Sequence, residues 1–124
     1  MPPVAPILIV SKKLPATELA RLKDRPFADM VKFVVDVQRG ILAVGGEMHV
    51  DAEAALLDQG SAQENLWGGN YFPGNSEDDC IEYTSLINVR PAQENRSILV
   101  ASPKTRDRMR SIVFSLLGRG EAWV

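Results

Sequence analysis

Residues able to do chemistry on their own are scarce in this chain. Among its 124 residues there is one cysteine, Cys80, and one histidine, His49, and only 6% are aromatic. A lone cysteine excludes an intrachain disulfide and any multi-cysteine zinc or iron–sulfur site, and it suits a reducing cytosol. Cys80 follows Asp78-Asp79, with no helix start or basic neighbour to activate its thiol, so it reads as an inert core or edge residue. No apolar run reaches the roughly 18 residues of a membrane-spanning helix. The start Met1-Pro2-Pro3-Val4-Ala5-Pro6 lacks the basic and then apolar build of a secretory signal. A cytoplasmic protein with no membrane role is expected. No serine sits in a nucleophile elbow, and Gly45-Gly46 and Gly68-Gly69 match neither a phosphate-binding loop nor a dinucleotide fingerprint. No cofactor is expected, and the residues lean toward binding over catalysis, with the enzyme question left open.

Positive charge is missing from the middle of the chain. From Gly40 to Val89 there is no Lys or Arg against nine acids, whereas residues 1–39 carry seven Lys/Arg and four acids and residues 90–124 seven and three. The formal net charge of −2 therefore hides blocks of opposite sign. These are expected to neutralise one another within a monomer; the alternative sets the acidic middle of one copy against the basic last helix of another. Nucleic acid is disfavoured, because Asp107 interrupts Lys104, Arg106, Arg108 and Arg110 and the whole chain is acidic.

At 45% apolar residues, a chain of this length buries about two-thirds of its unfolded surface without staples. One domain over residues 1–124 is expected, with residues 1–6 and 118–124 flexible. Pro6-Ile7-Leu8-Ile9-Val10 is too short for a helix and reads as a buried strand. Pro15 opens a helix containing Leu19 and Leu22 that stops near Arg25-Pro26. The period then turns to two: Val31, Phe33, Val35 and Val37 alternate with Lys32, Val34 and Asp36, and Gln38-Arg39-Gly40 makes a hairpin to Ile41-Leu42-Ala43-Val44. Gly45-Gly46 marks a bulge or close approach before an extended Glu47-Met48-His49-Val50. Asp51 is the expected N-cap of a helix that Gly60 ends. Leu66 to Phe72 reads as a strand, and Ile81 to Arg90 as a longer one stopped by Pro91. Ser102-Pro103 opens a last helix with Met109, Ile112, Val113, Leu116 and Leu117 on one stripe and Gly118 at its end. The order β-α-β-β-α-β-β-α predicts an α+β fold, a largely antiparallel sheet with its helices on one face.

If Ile81–Arg90 is one strand, Glu82, Asn88 and Arg90 emerge on one side of it, and Asn70 on a paired strand joins them. With Arg96 in the following loop, this polar face could hold an anionic small ligand or a protein partner, the Arg fork taking a carboxylate or phosphate. The competing account is an ordinary solvent face with cross-strand ion pairs. Glu47, His49 and Asp51 at alternate positions would face one way in an extended chain and match the ligand types of a divalent metal site, with Asp36 as a further carboxylate. Against this, a single histidine offers one imidazole only. Trp67 and Tyr71 share a strand face, which suits core packing better than a base-stacking platform. A homodimer through a sheet edge or the Trp67/Tyr71 surface stays open.

Gly45-Gly46-Glu47-Met48-His49, Leu66-Trp67-Gly68 with Asn70, Ile87-Asn88-Val89-Arg90-Pro91 and Asn95-Arg96-Ser97, in this order and spacing, resemble a family of small prokaryotic proteins known only as a domain of unknown function. The resemblance covers about residues 7–117; Gly69 departs from it, standing where an aliphatic residue is expected. It implies a single cytosolic domain and supplies no activity.

Overall fold

Aliphatic residues at alternate positions build the sheet, and glycines decide where its layers touch. The computed structural model describes residues 7–23 and 30–122. In chain order it contains β1 (Ile7–Val10), α1 (Ala16–Lys23), β2 (Val31–Asp36), β3 (Ile41–Gly45), α2 (His49–Asp58), β4 (Leu66–Tyr71), β5 (Ile81–Glu82) and α3 (Pro103–Leu116). The strands lie side by side as β1-β3-β2-β4-β5, every neighbouring pair antiparallel. This is the α+β class and element order that the sequence predicts. The expected flexibility of residues 1–6 and the helix stop at Arg25-Pro26 lie outside the described residues.

Period two gives the sheet two buried faces. Phe33, Val35, Leu42, Val44, Trp67 and Tyr71 form the larger core with Leu19 and Leu22 of α1 and Met109, Ile112 and Val113 of α3. On the other face Val34, Ala43 and Leu66 pack against Ala52 and Leu56 of α2. The helices therefore cover both faces, a correction to the one-face expectation. Val34 reveals the reason: it interrupts the polar positions Lys32 and Asp36 and is fully buried, so that face also needs a cover, which α2 supplies. Trp67 and Tyr71 are buried in the α1/α3 core, which removes them as a surface for a partner.

Turn chemistry follows the sequence closely. Asp36 Oδ1 accepts the N–H groups of Gln38 and Arg39, both at 2.9 Å, and Gly40 takes φ 70° to close the β2–β3 hairpin. Ser102 caps α3 by accepting from Thr105 N at 3.2 Å, with Pro103 in the first turn. Two expectations fail. Helix α2 begins at His49, with Met48 as a cap residue that offers no side-chain bond, so Glu47 to Asp51 is not extended and Asp51 lies inside the first turn. β5 ends at Glu82, because Ser85 turns the chain into a single helical turn at Leu86–Asn88 by accepting from Ile87 N at 3.3 Å. The chain then returns alongside, with Thr84 bridging Leu99 and Val100 N donating to Tyr83 O at 3.0 Å.

The far end of the chain is held as far as it is described. Gly120 N donates to Tyr71 Oη at 2.8 Å, Gly74 N donates to Gly120 O at 2.8 Å, and Arg119 pairs with Glu77 at 3.2 Å. Among the described residues this is the ion pair that joins two charge blocks, the others being local pairs within one helix, Arg21–Glu18 and Arg110–Asp107. Burial pushes the Tyr71 phenol up to about 12. It also pushes up the thiol of the fully buried Cys80, in line with the inert role read from sequence.

Candidate functional site

Register brings three polar side chains into a row on the α2 face: Lys32 of β2 stands opposite Asn70 of β4, and Asn70 opposite Glu82 of β5. Asn70 Nδ2 donates to Glu82 Oε1 at 2.8 Å, and Thr84 Oγ1 donates to the same oxygen at 3.1 Å. Helix α2 covers the face from Val34 toward Asp36 and stops short of this row. The gap is a cleft of about 360 Å³, lined by Lys32, Asn70, Glu47–Val50, Thr84–Ile87 and Ile98.

His49 closes the inner end. Its Nε2 lies 2.7 Å from Gly69 O; a carbonyl only accepts, so Nε2 carries the proton and Nδ1 keeps the lone pair in the neutral ring. Burial is the main force holding its pKa below 6.5, and Lys32 lowers it further, while the Gly69 carbonyl and the Asn70 side chain act the other way. His49 is therefore neutral at pH 7. Gly68 makes this closeness possible, since a Cβ there would meet Ser85 at 2.8 Å and His49 at 3.2 Å. At Gly69 a Cβ would fall 2.6 Å from both Glu82 O and the Phe33 ring, so the space that an aliphatic residue would take is filled by Phe33.

The cleft has a polar floor and an apolar rim. Met48, Val50, Leu86 and Ile98 all line it, and all four are exposed, Leu86 by 80%. Surface aliphatic residues scattered singly need no account, whereas four gathered around one concavity do. Asn70 is only 6% exposed, and its Oδ1 has no hydrogen-bond partner among the described residues. The amide cannot be turned over to cure this, because only its NH₂ end can face the Glu82 carboxylate.

The residues singled out from sequence divide between this cleft and the scaffold. Asn70 and Glu82 meet as expected, with Glu82 behind Asn70. Asn88 is fully buried: its Oδ1 accepts from Gly68 N at 2.8 Å and its Nδ2 donates to Gly68 O and Ile98 O, both at 3.0 Å. Its side chain thus takes the hydrogen bonds that a longer β5 would have made to β4. Arg90 does not reach the row. Its guanidinium stacks 3.9 Å from the Trp67 ring centroid and donates to Gln63 O, at 2.6 Å, and to Leu66 O. Arg96 is exposed. Glu47 and His49 line the cleft and Asp51 does not, and among the described residues no three His, Cys, Asp or Glu side chains are grouped to hold a metal ion. The rim was missed in the sequence reading. Met48 with Val50, Leu86 and Ile98 sit in three short stretches with no shared period, and only the tertiary fold gathers them.

Fold and site together define a small antiparallel α+β domain with an apolar-rimmed cleft at the open end of its middle helix. The chain belongs to the family described as Protein of unknown function (DUF5674), whose model matches residues 8–116. No curated protein and no solved structure matches it. Among the described residues no helix is long and apolar enough to cross a membrane.

Proposed function

We propose that this protein is a cytoplasmic binding module whose site is the cleft over Asn70, with Glu82 supporting Asn70 from the next strand. The observation that carries the reading is the gathering of Met48, Val50, Leu86 and Ile98 around a concavity with a polar floor. Exposed aliphatic side chains gain free energy when a partner covers them, roughly 25 cal/mol per Å² of apolar surface removed from water. Asn88 serves the site indirectly by holding the 84–88 wall against β4, and Arg90 by bracing the start of β4. A small anion is a second reading, favoured by Lys32 in the lining and by the α2 start that no side chain caps. Arg96 would steer such an anion from outside the cleft.

Leu86 offers the direct test, being exposed and remote from both cores. Phenol, titrated as an apolar probe while amide resonances are followed by NMR, is expected to shift residues 47–50 and 84–87 together. Leu86→Asp is expected to remove those shifts and leave the melting temperature within about 2 °C, as a surface substitution should. Shifts centred instead on Tyr83 and Phe114, which line a separate hollow, would overturn the assignment.

A further inference from the structure

The floor of the cleft specifies more than its rim. Asn70 Oδ1 is a buried acceptor with no donor among the described residues, and leaving such a group unpaired is costly. His49 beside it keeps a second acceptor, because its one N–H is committed to Gly69 O. Charge in and around the cleft is mixed, Lys32 standing with Glu47 and with Glu82 next to Asn70, so the pull of Lys32 on an anion is offset by two carboxylates. Helix α2 contributes N–H groups at an end without a side-chain cap. What fits an unpaired acceptor, uncapped N–H donors and an aliphatic rim is a secondary amide carrying an apolar side chain, the repeating unit of an extended peptide.

Resting on the binding role argued above, we propose that the cleft docks an extended segment of a partner protein. An aliphatic side chain of that segment settles among Met48, Val50, Leu86 and Ile98, and the N–H of the same residue donates to Asn70 Oδ1. The oxygen is shielded while the cleft is empty, and the segment reaches it by displacing the side-chain atoms that cover it.

Two probes that differ in one atom test this on the intact protein: N-acetyl-L-leucine dimethylamide, which has a single N–H, and its ester counterpart in which oxygen replaces that N–H. In an NMR titration the amide is expected to shift His49, Asn70 and Ser85, and the ester to bind at least about tenfold more weakly. Asn70→Leu, which removes the acceptor, is expected to bring the two probes to equal affinity. Equal binding of both probes to the native protein would overturn the donor requirement while leaving the cleft as a site. Binding of 4-methylpentanoate alone would replace the peptide by an anion. No shift at the cleft with any of the three would overturn both this inference and the cleft's binding role.

Discussion

His49 shows how one side chain can make stability depend on pH. It is the chain's single histidine, and burial first of all lowers its folded-state pKa below 6.5. The unfolded chain therefore binds a proton more readily than the folded one in the window below 6.5, so stability is retained above that pH and lost as pH falls through it. The melting temperature is expected to drop between pH 7 and pH 5, a range in which few other side chains titrate. His49→Gln should flatten that drop, and an equally steep profile in the variant would assign it to other groups. At the same scale, Asn70 and Asn88 look alike in the sequence and do opposite things. Asn88 has both amide ends bonded to backbone, while the Asn70 oxygen finds no donor among the described residues. Nothing in their neighbours' spelling separates them, since the difference lies in where β5 stops.

That stop is the element-scale feature with the largest effect. Cutting β5 to Ile81–Glu82 releases residues 83–101 to form the lobe that walls the cleft, and two asparagines staple it. Asn88 joins the lobe to Gly68, and Asn95 Nδ2 donates to the carbonyls of Asn88, Ser97 and Leu99, at 2.8, 3.0 and 3.0 Å. Asn88→Ala leaves the Gly68 N–H and C=O buried without partners and is expected to cost about 2–4 kcal/mol. Urea unfolding measures this, and a loss under 1 kcal/mol would show that water replaces the amide. Elements governed by local rules were readable beforehand: the β2–β3 hairpin from its alternation and Gly40, the end of α2 from Gly60, and α3 from Ser102-Pro103. The misreadings share a cause. Ile81 to Arg90 has strand-like alternation, yet Ser85 and Asn88 offer the backbone side-chain partners that end the ladder early. Asp51 has cap chemistry, yet Gly45 and Gly46, at φ 106° and 80°, turn the chain so that α2 starts three residues sooner.

For the whole molecule, the charge blocks meet within one chain. Arg119 pairs with Glu77, and Arg39 donates to Gln59 O and Ser61 Oγ in the acidic middle. Such exposed contacts are individually weak and screened by salt. Raising salt from 20 mM to 0.5 M is expected to lower the melting temperature slightly and leave the mass seen by light scattering unchanged. A dimer that dissociates as salt rises would put the pairing between chains instead. The walls of the cleft come from stretches scattered between Lys32 and Ile98, and this makes the site inseparable from the fold. No short fragment of the chain could carry it, and whatever fills it ties β2, α2, β4 and the lobe together at once. A ligand that binds only the folded form stabilises it in proportion to the logarithm of its excess over Kd, so heat resistance becomes a readout of occupancy that needs no knowledge of what the occupant is for.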